Sequence, residues 1–187
     1  MKPWRGWRFR RKLPGMIEAF ERVTTERLLL RRIDEGDLDA VFTLHGDPET
    51  NRFTPSGTLG SRDAARERLA LWVGDWTHHG VGYWTVERQD APGAVVGFGG
   101  VRHRELEGQQ VLNLYYRFMP HAWGSGYATE VSRVALALAR EHLPDVPVVA
   151  LINLENEPSR RVAERLGMKL DRVIDYEGVP SGIYVVG

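Results

Sequence analysis

The stretch Tyr115–Glu130, YYRFMPHAWGSGYATE, limits what this chain can fold into more than any other. Leu112, Leu114, Tyr116 and Phe118 alternate with Val111, Asn113, Tyr115 and Arg117, which is the two-residue period of a strand, and Pro120 stops it. The turn Trp123-Gly124-Ser125-Gly126 follows. Then Val131, Val134, Ala135, Leu138 and His142 recur at helical spacing. Glycine tolerates positive φ and lets a ligand approach the backbone closely. The amides of Ser125–Thr129 would be free at a helix start, where the dipole also favours anions. Together these make a phosphate cradle built from main chain. A merely tight loop is the bland alternative. A Walker-type loop would need a Gly-Lys-Ser/Thr that is absent. A dinucleotide fingerprint would need a third glycine and an acid about twenty residues on, and neither is evident.

The flanking pattern supplies the rest of the architecture. Thr25–Ile33 has the pattern of a strand, and Asp34 or Asp37 can cap a helix carrying Leu38, Val41 and Phe42. His45–Thr58, with Gly46, Pro48, Pro55 and Gly57, reads as a loop. Ser61 caps a helix whose Ala65, Leu69, Trp72 and Trp76 form one apolar stripe, ended by Gly80 and Gly82. Tyr83–Arg88 and Ala94–Val101 form a hairpin around Asp90–Gly93, with Gly97–Gly100 as a bulged stretch, and Gln110–Phe118 is the next strand. After the long helix come a strand Val146–Ile152 and a short helix led by Asn156 or Glu157 with Pro158 and ended by Gly167. Strands at Met168–Ile174 and Gly182–Val186 close the chain. The order β-α-α-β-β-β-α-β-α-β-β predicts an α/β (α+β) mixed sheet, hairpins at both ends, helices on both faces and one right-handed crossover.

Composition narrows the function classes. The 187 residues contain no cysteine, which excludes a disulfide scaffold, a thiol nucleophile and cysteine-held metal. His78-His79 are adjacent and do not share a helix face, so no metal is expected. No apolar run reaches the ~20 residues of a membrane helix, and no secretory leader is evident. A soluble cytoplasmic protein is expected. Lys+Arg and Asp+Glu are both 25, but residues 1–15 hold six bases and no acid, leaving the remainder acidic. Residues 1–15 are expected to be a disordered basic extension, or to precede a true start at Met16, with 16–187 a single domain. The alternative is an arm that touches RNA or membrane. The acidic remainder argues against a nucleic-acid binder.

The turn His121-Ala122-Trp123-Gly124-Ser125-Gly126, followed by Tyr127-Ala128-Thr129-Glu130, resembles the Q/R-x-x-G-x-G/A motif of the GNAT superfamily of acetyl-CoA-dependent N-acetyltransferases. WGSGYATE is similar to the RimJ/RimL-type branch. A second stretch resembles the same branch: Asn156-Glu157-Pro158-Ser159, then Val162, then Leu166-Gly167-Met168. Thr25–Arg31 resembles its opening strand. The resemblance implies a GNAT-like fold, a central, mostly antiparallel mixed sheet with helices on both faces. It also implies acetyl-CoA as co-substrate without a metal. The acceptor would be a primary amine, either a protein N-terminus or a small molecule, attacking the thioester directly, and a homodimer is compatible.

The resemblance further implies residue roles. Tyr116-Arg117-Phe118 would pair with the pantetheine arm as an added strand would. Trp123, Gly124, Ser125, Gly126, Tyr127 and Ala128 would give amides to the diphosphate, beside His121, and Asn156 would bond the pantetheine. An amide near Phe118 would meet the oxyanion. Ser159 would donate to the leaving thiolate, or else cap and pack its helix. Three positions depart from the pattern. His121 replaces Gln or Arg, Ala163 stands where many relatives have a tyrosine acid, and Asn113 stands where many have Glu. Asn113 can bind but cannot act as a base. Glu87, Glu105 and His103 are conceivable bases that are otherwise surface residues. Phe53, Trp84 and Tyr115 are expected to line the acceptor site, with the loop Asp47–Gly60 deciding its identity. The departures keep open a second function, a non-catalytic CoA-binding sensor or partner module.

Overall fold

A computed structural model describes residues 16–186; the basic segment 1–15 lies outside the described residues. Among the described residues, eight strands make one sheet: β1 (Arg22–Thr24), β2 (Leu28–Arg32), β3 (Tyr83–Arg88), β4 (Ala91–Leu106), β5 (Gln109–Phe118), β6 (Val148–Asn153), β7 (Met168–Tyr176) and β8 (Val179–Val186). Their spatial order is β1-β2-β3-β4-β5-β6-β8-β7. Every neighbouring pair is antiparallel except β5 and β6. Those two are joined by the helix that follows the glycine turn, the expected β-α-β crossover.

The helices are α1 (Met16–Glu21), α2 (Leu38–Gly46), α3 (Pro48–Asn51), α4 (Arg62–His79), α5 (Tyr127–His142) and α6 (Glu157–Arg165). Ser61 Oγ caps α4 by accepting from the amide of Ala64, and Gly80 ends it at φ 68°. Gly167, at φ 76°, follows α6 in the left-handed conformation. β4 begins at Ala91, inside the expected turn, and β8 at Val179, ahead of the expected Gly182, and two further features depart from the sequence reading. The strand expected from Thr25 is shorter and is preceded by α1 and β1, which carry no cap signature or sustained period. Within the stretch expected to be loop, Asp47 accepts from the amides of Glu49 and Thr50 and Pro48 occupies the first turn, so α3 forms where Pro48 suggested only a break.

Strand alternation sorts the side chains onto two faces. Trp84 stacks with Phe20 of α1, and Phe118 lies against Tyr127 of α5, so these residues face α1, α5 and α6. Tyr83, Tyr115 and Phe98 gather around Trp72 of α4 and face α2–α4. Gly97 marks the tightest approach within the sheet. A Cβ there would lie 2.3 Å from the carbonyl oxygen of Arg117 on β5. Gly97–Gly100, expected to be bulged, pairs with β3 in unbroken register; the register shifts come just before it, between Val86 and Glu87 and between Glu87 and Arg88.

The α2–α4 face also buries a polar centre. His45 of α2 is 1% exposed. Its Nδ1 lies 3.3 Å from Arg68 Nη1 and 3.2 Å from Arg117 Nη1, and its Nε2 lies 3.2 Å from Tyr115 Oη. Guanidinium nitrogens only donate, so Nδ1 accepts and the neutral ring carries its proton on Nε2, toward Tyr115. Burial, then the charges of Arg117 and Arg68, push the His45 pKa down from 6.5 to about 2. The unfolded chain protonates this ring below its ordinary value while the fold does not. Stability from His45 is therefore complete above pH ~6.5 and lost as pH falls. Chemical denaturation should find the protein about 2 kcal/mol less stable at pH 5 than at pH 7 from this group. His45→Gln should flatten that difference, and an equal slope in the folded variant would contradict the assignment.

Candidate active site

The parallel pair β5–β6 is held only at Leu112↔Val148 and Asn113↔Val149. The amide of Leu112 donates to the carbonyl of Pro147 on the β6 side, whereas the amide of Met119 donates to Val96 of β4. Alternation then turns the main-chain groups of Leu114, Tyr116 and Phe118 toward β6, beyond the last paired residue. They face a gap between two central strands. The expected segment Tyr116–Phe118 lies there, with Leu114 joining it. The carbonyl of Phe118 is already taken, accepting from Trp123 Nε1 at 2.7 Å.

The glycine turn stands at the open end of this gap. Gly124 and Gly126 have φ of 74° and 79°, as expected of glycines before a helix. Gly126 caps α5 without any side-chain bond, so the first-turn amides of α5 are left to another acceptor. A Cβ at Gly124 would meet nothing within 4 Å, so the turn is open on that side. One expected donor is corrected. The amide of Trp123 donates to Pro120 at 3.1 Å, closing a 3-10 turn at Pro120–Ala122, so the cradle begins at Gly124. His121 is exposed beside it.

A residue that the motif reading did not assign sets this turn. Arg27, just before β2, donates from Nη1 to the carbonyl of Ser125 at 2.8 Å and from Nη2 to Glu130 at 2.6 Å. Glu130 also accepts from Thr25 Oγ1 and from the Arg27 amide. Burial would raise the Glu130 pKa, but the bonds from Thr25 and Arg27 win and lower it, so it stays ionised. Holding the Ser125 carbonyl on one side turns the Gly126 amide to the other, toward the cradle. The signal was in the sequence: Thr25 and Arg27 head one quoted stretch and Glu130 ends another.

Across the gap, Asn156 caps α6 by accepting from the amide of Ser159 at 3.1 Å. That occupies the Oδ1 of a side chain expected to bond the pantetheine. Ser159 is half-buried, and its carbonyl accepts from Tyr116 Oη at 3.3 Å. Burial pushes the Tyr116 hydroxyl up to about 12, so it remains a donor. Ala163 is buried and contributes no polar atom there. Tyr116 therefore brings a hydroxyl to α6, beyond its expected main-chain role.

The α2–α4 side of the gap carries Asn113, Tyr115 and Arg117. Asn113 Nδ2 donates to Tyr83 Oη at 2.6 Å. Arg117 donates to Asn51 Oδ1 and, at 2.6 Å, to Thr54 Oγ1, while Asn153 of β6 donates to the carbonyl of Phe53 at 3.3 Å. Residues 51–54 thus reach β5 on one side and β6 on the other, roofing the gap. Phe53 and Tyr115 are on this side of the gap. Trp84 is not; it is wholly buried on the opposite face and donates to the carbonyl of Phe20. The three conceivable bases also lie elsewhere. Glu87 is buried against Arg31 at 2.7 Å; burial acts to raise its pKa, but Arg31 and the Gly93 amide lower it overall. The His103 ring lies tilted against that of His79, centroids 4.7 Å apart, and Glu105 is exposed, both toward the far end of β4. A cavity of about 490 Å³ bordered by Leu136, Arg140 and Leu166 sits at the C-terminal half of α5, away from the turn.

Residues 27–169 match the acetyltransferase (GNAT) domain family. The chain is 29% identical over 174 residues to the protein YkkB of Bacillus subtilis (strain 168), covering 90% of this chain and 96% of that one. The structure of an acetyltransferase from Agrobacterium tumefaciens str. C58 superposes with a TM-score of 0.75 at 22% identity, covering 96% and 98% of the two chains. A ribosomal-protein-S5-alanine acetyltransferase from Vibrio fischeri superposes with a TM-score of 0.70 at 14% identity, covering 88% and 94%. At these identities the solved structures speak for the fold alone. The mixed sheet with its parted strands, the glycine turn at α5 and the match across most of the chain lead to one conclusion: this chain belongs to the GNAT acetyltransferases and is an N-acetyltransferase.

Proposed function

We propose that the enzyme transfers the acetyl group of acetyl-CoA to a primary amine by direct attack, and that it belongs to the RimJ/RimL-type branch. The quoted stretches Trp123–Glu130 and Asn156–Met168 support the branch. The observation that carries the reaction is the convergence of an uncapped helix N-terminus with an unpaired strand edge. The residues present suit the co-substrate. Amides of Gly124, Ser125, Gly126, Tyr127 and Ala128 would hold the diphosphate, with Arg27 adding positive charge behind Gly126. Main-chain groups of Leu114 and Tyr116 would pair with the pantetheine arm, and Asn156 Nδ2 stays available to it. When bound, acetyl-CoA supplies an acyl group activated as a thioester.

The protein's own groups cover the remaining needs. The Phe118 amide would face the developing oxyanion. Tyr116 Oη and Ser159 Oγ would donate to the departing sulfur. The acceptor must arrive as a neutral amine. Among the described residues, the carboxylates weighed as bases, Glu87 and Glu105, lie away from the gap, so the proton lost on attack would pass to water. The charges of Arg68 and Arg117 on the acceptor side disfavour an ammonium and so favour the neutral form. Asn113, held by Tyr83, offers a carbonyl oxygen that can orient the N–H bonds.

Gly126→Asp should weaken CoA binding at least about tenfold by calorimetry, through charge repulsion and a side chain forced into φ near 79°. Unchanged affinity in the folded variant would remove the cradle. Tyr116→Phe should lower kcat about tenfold with CoA affinity unchanged; the effect is modest because a thiolate leaves readily. An unchanged kcat, measured where chemistry limits turnover, would return Tyr116 to a main-chain role alone.

A further inference from the structure

The α2–α4 face of the sheet holds several half-buried arginines, and two of them lack what the others have. Arg31 pairs with Asp37 and Glu87, each at 2.7 Å, and Arg102 pairs with Asp75 at 3.0 Å. Arg68 and Arg117 form no ion pair among the described residues. Their hydrogen bonds run to neutral groups: Arg68 to His45, and Arg117 to His45, Asn51 and Thr54. Both Nη1 atoms approach the same His45 nitrogen, so two like charges meet at one edge of an uncharged ring. Glu177 attracts Arg68 through space without pairing with it. Unneutralised charge in a partly desolvated site is costly. A ligand of opposite sign would relieve that cost.

The place of this charge is informative. Arg117 follows Tyr115 on β5 beside the open part of the gap, under the roof of residues 51–54. Both arginines are half-buried. Tyr115, Tyr83 and Trp72 form an aromatic wall next to them. A planar carboxylate is the natural partner of such a pair of forks. We infer that the amine acceptor carries a carboxylate a few bonds from its amine, and that Arg68 and Arg117 hold it while the amine points into the β5–β6 gap. This rests on the acetyl-transfer reading above. The carboxylate can belong to a free amino acid or to an acidic residue near a peptide N-terminus.

Matched acceptors separate these sources. Free amino acids are compared with their α-amides, and short peptides bearing Asp or Glu at the second or third position with their Asn or Gln counterparts. The folded enzyme should favour the carboxylate member of at least one set by about tenfold or more in kcat/KM. Arg68→Gln should erase that preference through KM, and Arg68→Lys should restore part of it, with CoA affinity unchanged in both. Transfer without a carboxylate preference would overturn the inference while leaving the acetyltransferase reading intact. So would a preference that survives Arg68→Gln. If no amine is acetylated although CoA binds, calorimetry of the CoA-loaded protein with the same pairs decides. Binding of the carboxylate member that is lost in Arg68→Gln supports the inference, and binding of neither member overturns it.

Discussion

The parting of β5 from β6 is the constraint on which the rest depends. A central strand normally has both edges paired, because an unpaired buried amide or carbonyl is costly. Here the edge of β5 beyond Asn113 is left without its neighbour. The separation is built in from both sides. β6 is committed to β8 from Val149 to Asn153, so it cannot swing back toward β5. β5 is seated against β4 over its whole length, so closely at Gly97 that no side chain fits. The roof at residues 51–54 takes a hydrogen bond from each strand and spans the opening. An opening held this way offers a ready-made edge to a ligand that can hydrogen-bond like a strand.

The second element is the clamp of Arg27, Thr25 and Glu130. It ties the first strands to the start of α5 across more than a hundred residues of sequence. One guanidinium fixes both the Glu130 side chain and the Ser125 carbonyl. The cradle is thus oriented by side chains that need not touch a ligand. A polar clamp gives direction where glycines alone would give only freedom.

What the sequence made legible was mainly local. The strand–turn–helix at 111–142, the Ser61 cap and the Gly80 and Gly167 stops all follow from short-range chemistry, and the structure keeps them. The Asn156 cap was legible too, and it occupies the oxygen of a side chain that the family resemblance gives to the pantetheine, leaving the amide nitrogen for that role. Short elements without period or cap signals, α1 and β1, were not legible. Neither was the side of the sheet on which a residue falls. A two-residue period separates Tyr83 from Trp84 but does not say which of them faces α2–α4, so Trp84, grouped in the sequence with Phe53 and Tyr115, lies on the face opposite Tyr115. The His45 centre is the clearest case. His45, Arg68, Tyr115 and Arg117 come from two helices and a strand, and nothing in their spacing announces that they meet.

The central claim is that one bound molecule occupies both the strand gap and the glycine turn. Amide hydrogen exchange of the intact protein with and without CoA tests this most directly. The account predicts slower exchange at two separate stretches, Leu114–Phe118 and Gly124–Ala128, at CoA concentrations that saturate binding. Saturation with protection at neither stretch, or only at the distant cavity beside Leu136 and Arg140, would contradict it.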